Sequence, residues 1–320
     1  MIDFVHEWQE KSEMKREMFI KRLGITRSKY YAWEKHYGKE NFHNGLIPRD
    51  YWLLPSEREA IIKYYLEHSR VGYRALTYMM LDADVVAVSP ATTYRVLKSA
   101  GLMRCWNGLK SKKGTGFEQP LNPHEHWHTD VSYINICGTF YYFIGVLDGC
   151  SRYLVAWDIR ESMKEIDIEV VLQKARESFP DARPRIISDN GSAYISKEFK
   201  NFIKISGMTH VKTSPFYPQS NGKMERFNGT LKVEAIRPNT PVSLDDAKTI
   251  VSKFVEEYNN QRLHCALGYI TPNDRLNNKQ EEIFRARDSK LEAARAHRKL
   301  VREGYPSLTN YNIEQQAQVC

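Results

Sequence analysis

Three carboxylates stand in runs that a folded core would bury. Asp130 lies inside the alternating run WHTDVSYINI, Asp189 closes the apolar run PRIISD, and Glu225 falls in the first turns of a helical stretch at 221–236. A carboxylate on a core strand is costly unless it is paired or bound to metal. Three that converge repel one another, and a divalent cation removes that penalty. An all-oxygen set suits Mg²⁺, which keeps open positions for water and phosphate oxygens. Two such ions about 4 Å apart stabilise the attacking and leaving oxygens of an in-line displacement at phosphorus. Spacing alone does not carry this reading. Thirty-five residues separate Asp189 from Glu225, and with 39 acids in 320 residues any position is acidic about one time in eight.

The other polar groups near these acids divide into two sets. Asn190, Asn221, Lys223, Arg226 and Asn228 flank the carboxylates and could grip phosphate oxygens. Asp148 reads as the cap of a turn at 148–151. Asp158 and Glu161 read as surface groups, and Glu234, nine residues beyond Glu225, as a solvated one. His124, His126 and His128 alternate along one strand face and read as strand-end residues rather than a zinc site. The five cysteines (105, 137, 150, 265 and 320) form no C-x-x-C pair, so reduced thiols fit better than a disulfide framework or a cysteine-rich zinc site.

The elements that must position these groups begin with helices. Residues 12–37 read as helix, tight turn, helix, with Gly24 ending the first and Thr26 opening the second. A basic second helix in this arrangement is the helix-turn-helix pattern, with Arg27 and Lys29 as candidate DNA contacts. Tyr30, Tyr31 and Trp33 read as its core. A second helical unit follows over 56–102, opened by a capping box of Ser56 and Glu59. Its third helix carries Ser89 at the N-cap, Pro90 at N1 and Gly101 past the end, with Arg95 and Lys98 as candidate contacts. Residues 103–120 read as a basic linker in which Lys110, Lys112 and Lys113 could lie along phosphates.

From residue 121 the texture changes. Three strand-like runs joined by hairpins precede alternating helix and strand. That order predicts an α/β, ribonuclease-H-like core: a five-stranded mixed sheet with helices on both faces, preceded by all-α helix-turn-helix domains. The expected divisions are 1–45, 46–102, the linker 103–120, the core 121–278, and a charged helix with tail over 279–320. The mixed charge of that last helix predicts a solvated face or a dimer element.

At this point the motifs resemble a family. WHTDVSYI around Asp130, VLDGCSR at 146–152, ISDNGSAY around Asp189 and SPFYPQSNGKMERFN around Glu225 resemble the catalytic core of insertion-sequence transposases in the retroviral-integrase superfamily. The spacing is that of the Asp-Asp-35-Glu group. YNNQRLH at 258–264 and Thr271-Pro272 resemble the family's closing segment, although Leu263 stands where that segment often has proline. The helical unit with GYRAL and YRVLKSAGL resembles the domain preceding the core in bacterial members, and no His-His-Cys-Cys zinc domain is present before residue 100. The resemblance implies a polynucleotidyl transferase whose catalytic and metal-binding residues are Asp130, Asp189 and Glu225. It implies two Mg²⁺ ions, with Mn²⁺ able to replace them. It also implies double-stranded DNA (element ends and target) as partner, and a homo-oligomer, dimer or higher, on that DNA.

Composition agrees with such a partner. Net charge is +8 and the sequence pI is about 9.1. Residues 11–39 hold nine Lys/Arg against three acids, and residues 95–113 hold six and no acid. No apolar run approaches the roughly 18 residues of a membrane span, and no signal region opens the chain, so the expected place is the bacterial cytoplasm, in association with the nucleoid. A nuclease that only hydrolyses, or a DNA-binding regulator lacking catalysis, remain the alternatives; the three intact acids argue against the regulator.

Overall fold

The computed structural model describes residues 1–12, 14–38, 52–103, 119–189, 191–212 and 221–303. Lys110, Lys112, Lys113 and Asn190 lie outside them. The chain divides into two compact units, Met1–Trp52 with Lys299–Cys320, and Leu53–Arg298.

In the first unit three helices pack together: α1 (Ile2–Lys11), α2 (Arg16–Arg22) and α3 (Arg27–His36). Sequence reading found α2 and α3 but not α1. Their shared core is Ile2, Val5, Ile20 and Tyr30. Gly24, at φ +68°, ends α2 with the Ile25 amide donating to the Ile20 carbonyl at 3.2 Å, a left-handed C-terminal cap. Of the three aromatics expected inside, only Tyr30 is buried; Tyr31 and Trp33 are exposed. On a helix this short, one inward position per turn is what the 3.6-residue period allows.

The second unit opens with α4 (Pro55–Glu67), α5 (Tyr73–Asp82) and α6 (Pro90–Ser99), packed around Ile61, Leu76, Met80, Val96 and Leu97. The expected Ser56/Glu59 capping box is displaced. Pro55 already occupies the first helical turn, and the Glu57 carboxylate accepts the Leu54 amide at 2.9 Å. At α6 the signals read from sequence hold: the Ser89 hydroxyl accepts the Thr92 amide at 3.3 Å, and Gly101 sits at φ +71°.

The core follows as a five-stranded mixed sheet in the order β3-β2-β1-β4-β5. Its strands are β1 (His126–Ile136), β2 (Thr139–Asp148), β3 (Leu154–Arg160), β4 (Arg185–Ser188) and β5 (Thr209–Lys212). The first three are antiparallel, while β4 and β5 run parallel to β1. Helices α7 (Glu165–Ser178), α8 (Ser192–Ile195) and α9 (Lys197–Ile205) cover one face, where Trp127, Val146, Ile186 and Phe199 meet. Helix α10 (Gly222–Leu231) continues through a π-helical turn (Lys232–Ile236) into α11 (Arg237–Asn239). With α12 (Leu244–Asn260) it covers the other face, around Phe143, Leu147, Phe227, Leu231 and Val251.

After α12 the chain passes a short α13 (Pro272–Leu276) and enters α14 (Gln280–Glu303). The solvated face expected of this charged helix is present, since Glu281, Glu282, Arg285, Asp288, Glu292 and Arg295 are exposed, but two of its arginines are buried. Arg287 and Arg298 are each about 5% exposed or less. Arg287 forks onto the Asp82 carboxylate at 2.8 and 2.6 Å, and Arg298 Nε donates to both Glu57 carboxylate oxygens at 3.0 and 2.9 Å. The Arg287 guanidinium also lies 4.7 Å from the Tyr78 ring, which stacks on Tyr269 at 4.8 Å. These two arginines strap α4–α6 to the core's closing segment through Glu57, Asp82 and the Tyr269 carbonyl. No described helix is long and apolar enough to cross a membrane.

Candidate active site

Asp130 sits mid-β1, paired with Gly145 on β2. On its other side β1 pairs with β4 through His126↔Arg185, Trp127↔Ile186 and His128↔Ile187. That register has an offset of 185 − 126 = 59, which carried forward places Asp189 (130 + 59) level with Asp130. Adjacent strands lie about 4.8 Å apart, so the two acids are neighbours at the end of the β1–β4 ladder.

Glu225 comes to them on α10, and the sequence around it makes that approach possible. The Asn221 amide donates to the Thr129 carbonyl at 3.2 Å, and the Asn228 amide donates to the Asp130 carboxylate at 3.0 Å. Positions 221, 225 and 228 share one helical face, so both ends of that face are pinned to β1 around Asp130. Gly145 completes the fit. A Cβ there would stand 2.5 Å from the Met224 methyl and 2.9 Å from the Phe143 ring, and both side chains are fully buried.

The electrostatics report the same convergence. The Asp130 carboxyl is pushed up to about 6, first by burial and then by the negative charges of Asp189 and Glu225, with the Asn228 amide offsetting part of the rise. Beneath the acids the Tyr194 hydroxyl is within 3.2 Å of Thr129, and burial drives its pKa upward. Asp189 accepts the Gly191 amide at 2.9 Å.

Beside the carboxylates lies a basic region. Lys223 donates to the Gly149 carbonyl at 2.8 Å, and burial together with Arg152 lowers its pKa to about 8. His128 is 3% exposed and held neutral, its pKa lowered to about 3 by burial and the charges of Lys223 and Arg152. Asp148, fully buried, accepts the His124 amide at 2.8 Å and both the amide and hydroxyl of Ser151 at 2.7 Å, the turn-capping role read from sequence.

Other readings change. Asn221 and Asn228 are buried, and their amides are committed to the strand and to Asp130 rather than presented to solvent. Lys223 and Arg226 lie on α10 but face the β2–β3 turn, where Lys223 bonds Gly149 and both act on Arg152. Arg27 pairs with Glu17, Lys29 lies 5.1 Å from the Trp33 ring, Arg95 bonds back to the Ala91 carbonyl, and Lys98 lies 5.9 Å from the Tyr94 ring. His124 is not on the strand: it sits at φ +63°, accepts the Trp127 indole N–H at 3.2 Å and packs on Phe179, so the three histidines do not line one face. Asp158 is 8% exposed rather than a surface group and pairs with Arg160, Lys174 and Lys248. Glu234 takes a fork from Arg262. Sequence reasoning also missed Asn259, whose side chain exchanges two hydrogen bonds with the Leu154 backbone at 2.9 and 3.1 Å and ties α12 to the start of β3.

A metal suits the donor set. Three hard carboxylates repel one another across a half-buried Asp130, and a divalent cation is the group that relieves this. Among the described residues no three His, Cys, Asp or Glu side chains are gathered closely enough to hold a metal ion as they stand.

A five-stranded mixed sheet of this order, with acids on the central strand β1, at the end of β4 and on the facing helix, is the layout expected of an integrase-type core. The integrase core domain family matches residues 120–218, and a second family of the same description matches residues 206–272. The transposase for insertion sequence element IS629 of Shigella sonnei is 24% identical over 262 residues, 78% of this chain and 87% of that protein. The insertion element IS600 uncharacterized 31 kDa protein of the same organism is 28% identical over 270 residues, 78% of this chain and 94% of that protein. The HTLV-2 integrase catalytic core domain resembles it with a TM-score of 0.41 at 20% identity, over 49% of this chain and 99% of that one. Residues 120–272 are thus similar to integrase core domains, and most of the chain is similar to insertion-sequence transposases.

Proposed function

We propose that this chain cuts DNA at the ends of its element and joins the freed 3′-OH to a target strand, with Asp130, Asp189 and Glu225 as the catalytic carboxylates. The observation that carries the reading is the Asp130 carboxyl, raised by burial and by the charges of Asp189 and Glu225, on the central strand to which α10 is pinned. In the first step a water oxygen forms a bond to the scissile phosphorus and the 3′-oxygen leaves with a proton. In the second, that 3′-OH attacks a target phosphodiester and displaces another 3′-oxygen. Neither step needs a covalent enzyme intermediate. The three carboxylates would hold two Mg²⁺ ions, which supply Lewis-acid stabilisation of the entering and leaving oxygens. Asn228 fixes the orientation of Asp130, Asn221 fixes the start of α10, and Lys223 and Arg226 add positive charge beside the phosphates. The N-terminal helical domains supply recognition of the terminal repeats, and the active assembly is a dimer or larger, because two ends must be handled together.

Incubating the full chain with duplex DNA from the flanks of its gene and Mg²⁺ or Mn²⁺, then sequencing the products, tests this. Expected are nicks at a fixed element boundary and joined products. Hydrolysis without any joining would reduce the reading to that of a nuclease.

A further inference from the structure

We infer that Arg152 is the centre of a binding site for one particular backbone phosphate of the DNA, beside the catalytic carboxylates. The inference rests on the proposed DNA chemistry and adds a residue and a site to it. Arg152 follows the β2–β3 turn at φ +64°, a left-handed conformation that is strained for a non-glycine residue. The turn is fixed around it: the Arg152 amide donates to the Asp148 carbonyl at 3.0 Å, and the Asp148 amide to the Tyr153 carbonyl at 2.8 Å. The strained position holds the side chain half-buried, with Nε shielded from solvent. Yet its guanidinium makes no hydrogen bond or ion pair among the described residues.

Its surroundings are cationic. Lys223 and Arg226 of α10 and His264 of the closing segment all face it electrostatically, as does the Tyr258 hydroxyl of α12. The nearby carboxylate, Asp148, has both oxygens occupied by His124 and Ser151. Nδ1 of His264 is likewise buried without a partner, and Nε2 is 3.4 Å from the Tyr258 hydroxyl. A guanidinium withdrawn from water without an anion is unfavourable by several kcal/mol. Four elements therefore converge on a place that lacks one negative charge. A planar fork with flanking cations matches two oxygens of a phosphodiester. Lys223 and Arg226 share α10 with Glu225, so one helix serves both this phosphate site and the proposed catalytic carboxylates.

The test is DNA binding by the full chain in EDTA, so that no chemistry is required. Element-end duplexes carry a single neutral methylphosphonate, moved one position at a time. Wild type should lose roughly tenfold in affinity at one position beside the cleavage site, the value of one charge-assisted hydrogen bond. R152Q should bind the unmodified duplex roughly tenfold less well, show no further loss at that position, and have a salt slope lower by about 0.9. H264A should weaken sensitivity at the same position. If R152Q melts the core, R152K replaces it: it keeps the charge without the fork and should lose most of that sensitivity. A variant that is folded and keeps the full wild-type methylphosphonate profile overturns the site while leaving the transposase reading intact. A wild-type chain that binds no duplex overturns both.

Discussion

At the scale of single residues, the chemistry turns on removing charge without removing shape. Asp130→Asn, Asp189→Asn and Glu225→Gln should each lower strand transfer by roughly 10³-fold or more, since each deletes an anionic ligand from a site whose metals stabilise transition-state charge. DNA affinity should stay near wild type. The control is Glu161→Gln at an exposed position; Asp158 is unsuitable because it anchors three cations. Near-normal joining by Asp189→Asn, free of wild-type enzyme, would refute the assignment. Stability gives a second reading of Asp130. Its folded pKa of about 6 lies above the unfolded value of 3.8, so the protonated form favours folding. That contribution is complete below about pH 4 and lost as pH rises through 6. In metal-free buffer Asp130→Asn should therefore match wild type near pH 4 and be more stable at pH 8, by at most roughly 3 kcal/mol. Denaturant titrations at the two pH values check it; equal stability at pH 8 would remove the repulsion. The strands and helix that carry the three acids were legible in sequence because strand alternation and helix start signals are local, while the acids themselves stood out through the motifs around them. Arg152 and Asn228 were not assigned their settings, because each depends on partners about 70 to 110 residues away.

At the scale of elements, α10 is held by a close approach that a single substitution can test. Gly145→Val should force Met224 and Phe143 apart, lowering stability by about 1–3 kcal/mol. It should also reduce joining more than DNA binding, because Glu225 rides on the displaced helix. Unchanged joining in a folded Gly145→Val protein would mean that α10 tolerates the shift. The strap gives a parallel test. Arg298→Met leaves Glu57 facing α14 without its partner and should cost about 3 kcal/mol in thermal unfolding. The double change with Glu57→Gln should cost less than the two singles summed. Strictly additive losses would mean that the pair is not coupled. These contacts explain what sequence patterns could and could not reveal. Repeating apolar periods announced the sheet and its covering helices. Mixed charge on α14 looked like solvation, because a periodic pattern of Arg and Glu reads the same whether its partners are water or Asp82 and Glu57. Helix α1 escaped because only Ile2 and Val5 of its apolar residues turn inward, and its opening lacks a capping side chain.

At the scale of the whole chain, binding and catalysis should separate. Residues 1–115 should carry most of the selectivity for element ends, and their affinity should fall steeply with salt. Gel shifts comparing the full chain with residues 121–278 would contradict this if the core alone bound the ends as tightly and as selectively.

The strap also sets an order of events. Glu57 and Arg298 are 241 residues apart, and Asp82 and Arg287 are 205 apart. A growing chain can complete α4–α6 and the sheet while their final helix is still unmade, since domains generally fold as units during synthesis. Closing contacts of such separation is slow relative to local ones. Each new molecule therefore passes through a period in which Asp82 and Glu57 face water and its closing segment is unbraced, and it gains its last stabilising contacts only as α14 docks.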